Sequence, residues 1–177
     1  MTSPTQPTLL ISSSPSSSPL VEDIIASALS SGTRVRLTSP LPAHTPSFAE
    51  AAACGKLTIT PITTPDSYRT ALNNVTSIFH PAPVDENGEP ETNEALALLD
   101  ATMKYGTFVR KVVYAAPSLG SQDEGWNPAR GDGVIDRWVE ERSAGAVKVP
   151  FGVVCMGFDI DGGDKGLEGA VRRVVEI

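Results

Sequence analysis

The sequence predicts an α/β protein organised on a doubly wound parallel sheet of about six strands with helices on both faces. Three observations lead there. Residues Thr8 to Pro40 read as strand, loop, helix, strand, which is a βαβ opening. Short apolar, β-branched runs then alternate with segments of helical period to the end of the chain. The chain has 177 residues and a 40% hydrophobic share without an internal repeat, which fits a single core of ordinary domain size.

Residues 1–7 are expected to form a flexible tail, and residues 8–177 a single domain. The first strand is Thr8 to Ile11, followed by the serine-proline loop Ser12 to Ser18. In the helix that follows, Pro19 to Ser31, the residues Leu20, Val21, Ile24, Ile25, Ala28 and Leu29 recur at helical spacing. Ser18 suits its N-cap, Pro19 its first position, Glu22 and Asp23 the positive end of its dipole, and Gly32 its stop. Arg34 to Thr38 is the second strand, Ser47 to Cys54 a short alanine-rich helix, and Lys56 to Pro61 the third strand.

Asp66 to Asn73 follows as a short helix with Tyr68, Ala71 and Leu72 on its apolar side, then Val75 to Phe79 as the fourth strand, ended by His80-Pro81. After the acidic, turn-rich Val84 to Glu91, Thr92 is expected to cap a helix to Tyr105 that buries Leu96, Leu99 and Met103 and stops at Gly106. Val109 to Ala115 is the fifth strand, with Tyr114 inside it as a core residue. A helix near Val134 to Arg142 turns Ile135, Trp138 and Val139 inward, Val149 to Met156 is the sixth strand, and Leu167 to Val175 closes the chain as an amphipathic piece.

Charge narrows the function classes. The net charge is −7, from 14 Lys and Arg against 21 Asp and Glu, with no basic block that could track a phosphate backbone, so nucleic acid is not an expected partner. No stretch approaches the roughly 20 apolar residues of a membrane span. Cys54 and Cys155 lack metal spacing, and the Asp159 to Asp164 run lacks the remainder of a calcium loop, so no metal is expected. With no signal-peptide pattern at the N-terminus, the expected location is the cytoplasm.

Three stretches resemble a known family, in its order and spacing. They are ITPITTPDSYRTALNNVTSIFH (Ile59 to His80), NEALALLDATMKYGTFVRKVVYAAPSLG (Asn93 to Gly120) and VIDRWVEERSAGAVKVPFGVVCMGF (Val134 to Phe158). Together they resemble the atypical and extended short-chain dehydrogenases, most closely the NmrA-like group. That resemblance implies a Rossmann-like fold with a dinucleotide above the carboxyl ends of the strands.

The departures from the family pattern set the functional expectation. The first loop, where the family has G-x-x-G-x-x-G, has no glycine and carries Pro15. Glycine lets the backbone approach a pyrophosphate, and proline has no N–H to give. At the end of the second strand, Thr38, Ser39 and Pro40 stand where a basic residue often holds a 2′-phosphate, with Arg36 two residues earlier on the strand. The family's paired serines become Ala116-Pro117, which leaves Ser118 one place late. No Tyr-x-x-x-Lys pair exists, and Asp132 falls about where its lysine would be. The chain also ends soon after the sixth strand, so the family's substrate-binding portion is expected to be missing.

The candidate ligand-binding residues are therefore Ser12, Ser13, Ser14, Ser16, Ser17, Ser18, Thr38, Ser39 and Thr63, and the candidate catalytic residues His80, Ser118 and Asp132. The serines suit phosphate or carboxylate, or form a solvated low-complexity loop. His80 is either a general acid or base near neutral pH or a strand-end histidine held by the backbone. On this reading the protein is a degenerate NmrA-like domain that binds a small molecule or a partner in a regulatory role, with no cofactor expected. One alternative is a cofactor-independent isomerase, cyclase or dehydratase in the vacated cleft. A weaker one is an NAD(P)-binding oxidoreductase that holds its cofactor through serine hydroxyls. A homodimer or a partner protein is expected to cover the flank of the sheet.

Overall fold

Strands and helices alternate along the chain as β1 (Thr8–Ile11), α1 (Pro19–Ser30), β2 (Arg34–Leu37), α2 (Ala49–Ala53), β3 (Leu57–Ile59), α3 (Ser67–Ala71), β4 (Ser77–Pro81), α4 (Asn93–Tyr105), β5 (Lys111–Ser118), α5 (Asp132–Ser143) and β6 (Gly152–Asp159). The computed structural model describes residues 6–12, 19–39, 48–82, 92–118, 132–145, 148–159 and 174. The strands form one parallel sheet in the order β3-β2-β1-β4-β5-β6, as the alternating pattern predicts. The order reverses between β1 and β4, so their carboxyl ends border a crevice from which the connecting segments diverge.

Two apolar layers hold the sheet. On one face Leu9, Ile11, Val35, Leu37, Phe79 and Val113 meet the stripe of α1 formed by Leu20, Val21, Ile24, Ile25 and Ala28. On the other, Leu10, Ile78, Val112 and Tyr114 meet Ala71 and Leu72 from α3 and its end, Ala95, Leu98 and Leu99 from α4, and Ile135 and Trp138 from α5. Strands buried on both faces must be apolar at successive positions, which is why β1 reads as an unbroken run. Each Ile, Leu or Phe so buried contributes about 1.5–3 kcal/mol relative to exposure.

The end of α1 follows from one residue. Gly32 has φ +81°, and around it Gly32 N–H donates to the Leu29 carbonyl (3.1 Å) and Thr33 N–H to the Ala28 carbonyl (2.9 Å). This is the two-bond closure that a left-handed residue after a helix permits, and it turns the chain directly into β2.

Several boundaries differ from the sequence expectation for identifiable reasons. β4 runs from Ser77 through His80 to Pro81 rather than from Val75 to Phe79. Residue 79 faces β1, since Ser12 N–H donates to its carbonyl (3.0 Å), and Ala82 faces β5, donating to the Ala115 carbonyl (2.7 Å). Pro81 therefore faces β1 at a level where β1 has already ended, and its missing N–H costs the sheet nothing. Pro117 is tolerated in the same way: residue 115 faces β4, so 117 does too, and β4 ends at Pro81. Strands β5 and β6 then continue together to Ser118 paired with Asp159, three residues beyond the expected ends.

Helix α4 is also rotated from its expected phase. It buries Ala95, Leu98, Leu99, Ala101 and Thr102, while Leu96 and Met103 are half-buried. The Thr102 hydroxyl satisfies itself by donating to the Leu98 carbonyl (2.7 Å), which lets a polar residue sit in the core face. Thr92 makes no side-chain capping bond. The helix does stop at Gly106, whose ψ of 54° leaves the helical region, and a Cβ there would lie 2.7 Å from the Thr102 carbonyl oxygen, so the position calls for glycine. Val174, buried in the α1 layer, is the described residue of the expected last amphipathic piece.

Candidate functional site

Among the described residues, those that follow the carboxyl ends of β1 and β2 are Ser12, Thr38 and Ser39, with short neutral side chains. Ser12 follows the last residue of β1, and its N–H is fixed by the Phe79 carbonyl of β4. Thr38 follows the last residue of β2, and its N–H is fixed by the Ile11 carbonyl at 3.1 Å. Ser12, Thr38 and Ser39 are each half-buried. The ladder bonds thus hold the first residues of two loops side by side at the ends of the adjacent strands β1 and β2, with Ser12 bordering the point between β1 and β4 where the strand order reverses.

Thr63 is placed differently. It lies in the exposed segment after β3, where the Ser67 hydroxyl accepts from the N–H groups of Thr63 (3.2 Å) and Thr64 (3.0 Å). Its position is thereby tied to the first turn of α3. Ser13, Ser14, Ser16, Ser17 and Ser18 lie outside the described residues. Of Ser118 and Asp132 the backbone is described: Ser118 ends β5 and Asp132 opens α5.

His80 is 1% exposed. Its ring stacks on Tyr114 at a centroid distance of 5.9 Å and an interplanar angle of 19°. Strand alternation gives it the face of Ile78, so it borders a cavity of ≈ 10 Å³ with Ala95, Leu98 and Leu99 of α4 and Val112, Tyr114 and Val153 of the sheet. Such a volume holds about one water and no organic substrate. Nδ1 lies 3.4 Å from the Ser12 hydroxyl, and Nε2 has no hydrogen-bond partner among the described residues. Burial pushes its pKa from 6.5 down to about 4, opposed in part by a hydrogen bond with Ser12. At neutral pH the ring is therefore uncharged. It braces the start of the β1–α1 loop from within the sheet, an arrangement that suits positioning better than proton transfer in an open cleft.

Arg36, the basic residue nearest the end of β2, is committed elsewhere. Its Nη1 donates to the carbonyls of Asn73 (2.7 Å) and Ala71 (2.8 Å), with Thr70 at 3.4 Å. The Ala71 and Asn73 carbonyls are acceptors at the end of α3 of the kind a cation satisfies well, while the Thr70 carbonyl also accepts from Asn73 N–H (3.3 Å). Sequence reasoning did not find this contact. Its partners are 34 to 37 residues away, and no local pattern signals a side chain crossing from a strand to the end of a later helix.

Among the described residues, no group of three or more His, Cys, Asp or Glu is arranged to hold a metal ion, and no helix is long and apolar enough to cross a membrane.

No family model matches the sequence, and no curated protein matches it. Solved structures do share the fold. A short-chain dehydrogenase from Mycobacterium smegmatis superposes with a TM-score of 0.60 at 13% identity, covering 96% of this chain and 85% of that one. Gre2 from Candida albicans, solved in complex with NADPH, superposes with a TM-score of 0.58 at 15% identity, covering 86% of this chain and 57% of that one. Vestitone reductase from alfalfa is 22% identical over 63% of this chain and 36% of its own, with a TM-score of 0.46. The chain thus spans just over half of Gre2 and about a third of vestitone reductase. The fold is that of the short-chain dehydrogenases, a Rossmann-like sheet with its characteristic switch point.

The crevice residues are a partial fit to a dinucleotide. Half-buried hydroxyls on Ser12, Thr38 and Ser39 are neutral donors and acceptors, a chemistry that matches ribose hydroxyls better than phosphate charge.

Proposed function

We propose that this protein binds a nicotinamide dinucleotide across the β1–β4 crevice and is an NAD(P)-binding protein of the short-chain reductase kind. The observation that carries the reading is the parallel order β3-β2-β1-β4-β5-β6, with Ser12 fixed by a ladder hydrogen bond at its switch point and Thr38 beside it at the end of β2. In sheets of this order, ligands enter outside the carboxyl ends of the strands at that point. The solved structures of like fold support it, among them one that holds NADPH. Ser12 would border the start of the pyrophosphate loop, and Thr38 and Ser39 the adenosine ribose. When bound, the nicotinamide supplies or accepts hydride. The protein's own part is to orient it and to keep His80 neutral behind Ser12, so that the loop start is held without adding charge.

A second reading, a regulatory domain that has lost the dinucleotide, draws on the glycine-free Ser12 to Ser18 loop and on the absence of a Tyr-x-x-x-Lys pair from the sequence. A cofactor-independent enzyme driven by His80 draws less support, because the ring is buried and uncharged at neutral pH.

Thermal melts with and without about 1 mM NADH test the choice. A dissociation constant below about 100 μM stabilises the fold by roughly 1.4 kcal/mol at that concentration and raises the midpoint by about 3–6 °C. An unshifted midpoint with both NADH and NADPH would favour the regulatory reading.

A further inference from the structure

On the α4 face of the sheet, an apolar level formed by Leu10, Ile78, Val112 and Val153 is followed by a polar one. The register sets His80 of β4 beside Tyr114 of β5, and Tyr114 beside Cys155 of β6. Ser12 comes next after Ile11, which is level with Phe79, and so joins the same row from β1. Within this row His80 and Tyr114 are fully enclosed, and the His80 ring reaches Ser12 through Nδ1 while Nε2 has no hydrogen-bond partner among the described residues.

We infer that His80 is a pH-operated latch, which holds the carboxyl end of β4 against Ser12 while the ring is neutral and lets the two part when the ring takes up a proton. The inference is independent of what the crevice binds. The backbone around the ring is lightly tied. Ser12 N–H donates to the Phe79 carbonyl, and the next β4 residue to face β1 is Pro81, which has no N–H. Toward β5, the Ala82 N–H bond to the Ala115 carbonyl lies just past the strand end. The contact between His80 and Ser12 therefore sits at the margin of the ladder, where local opening breaks few bonds.

Among the described residues, nothing stabilises a proton on the ring in the closed form. The side chains around it are Ala95, Leu98 and Leu99 of α4, Val112 and Tyr114 of β5, and Val153 of β6. The charged and titratable residues of these elements stand away from it. Glu94, Asp100 and Lys104 of α4 are exposed, Lys111 opens β5 three residues before Tyr114, Cys155 lies on the far side of Tyr114, and Asp159 ends β6 four residues later. Strands β1 and β4 carry no other charge. The stack on Tyr114 is at 5.9 Å, close to the outer limit of about 6 Å for a cation over a ring. The adjoining cavity of ≈ 10 Å³ admits about one water, too few to hydrate an imidazolium. Hydration of the charged ring therefore requires opening. The closed form takes up the proton near pH 4 and the open form near the ordinary 6.5, so the open form binds more protons and is favoured as pH falls through that window. Between pH 7 and pH 4.5 the ratio of open to closed forms rises by about sixtyfold.

Amide hydrogen exchange of the full chain, resolved by NMR at pH 7 and pH 4.5 with and without urea below the unfolding transition, tests the latch. Corrected for intrinsic exchange rates, protection at the Ser12 and Ala82 amides should fall by about sixtyfold in the wild type. In His80→Gln and His80→Phe, whose side chains do not titrate, it should fall by less than about threefold. Exchange at these two amides should depend little on urea, because local opening exposes little surface. The Val35 amide, which donates to the Lys56 carbonyl on the other side of β1, is the reference for unfolding of the whole sheet. Unchanged protection at Ser12 and Ala82 in the wild type, or an equal fall in a folded variant, would overturn the inference. A fall that carries the same urea dependence as Val35 would also overturn it, since the ring would then be linked to global unfolding alone. That comparison uses the wild type, so the question stays answerable if neither variant folds.

Discussion

His80 joins the floor of the crevice to the core. The strand alternation that makes Ile78 a core residue also turns His80 toward α4, so the imidazole gives up its hydration for a stack on Tyr114 and a contact with Ser12. The sequence located His80 at the end of β4, but Pro81 concealed that the strand continues through it. The burial has a measurable consequence. The folded state resists protonation until about pH 4, whereas the unfolded chain takes up the proton near 6.5. Stability from this group is therefore complete at neutral pH and is lost as pH falls through the window from 6.5 to 4, by roughly 3 kcal/mol in all. Urea titrations at pH 7 and pH 4.5 should show this loss in the wild type and a smaller one in His80→Gln, whose side chain does not titrate. Equal losses in the two proteins would mean that His80 is hydrated in solution. Truncation to His80→Ala at pH 7 should cost about 2–4 kcal/mol, the usual range for emptying a buried ring-sized site.

The helices show which local signals suffice and which do not. The stripe of α1 was legible because its six apolar residues are spaced for one face and Gly32 marks the stop; five of the six are buried and Leu29 is half-buried. Gly32→Ala forces a Cβ into the left-handed region at φ +81° and should cost about 1 kcal/mol, read as a lower urea midpoint with unchanged slope. The phase of α4 was misread because Thr102 is polar by type yet buried by virtue of its bond to the Leu98 carbonyl. Two arginine contacts at helix ends should differ in worth. Arg36→Met removes bonds to carbonyls from a half-buried guanidinium and should cost about 1–3 kcal/mol. Asp100→Ala breaks the exposed Arg142 pair (2.8 Å) and the Trp138 indole bond (3.1 Å) that clasp α4 to α5, and should cost about 1 kcal/mol or less, with a change in tryptophan emission. A larger loss in Asp100→Ala than in Arg36→Met would contradict this ordering.

At the scale of the molecule, strand order follows from the alternation of strand and helix signals, since parallel neighbours need right-handed crossovers. The location of the crevice follows in turn from that order. That Arg36 ties β2 to the end of α3 was not legible, because the contact joins segments more than thirty residues apart. Hydrogen exchange followed by mass spectrometry, with and without saturating NADH, tests most directly whether the switch point is the binding site. The account predicts slower exchange in peptides that cover Leu9 to Val21 and Leu37 to Ser39, with no change in Asp132 to Ser143 on α5. Unchanged exchange at the ends of β1 and β2 under saturating cofactor, or protection confined to α5, would contradict it.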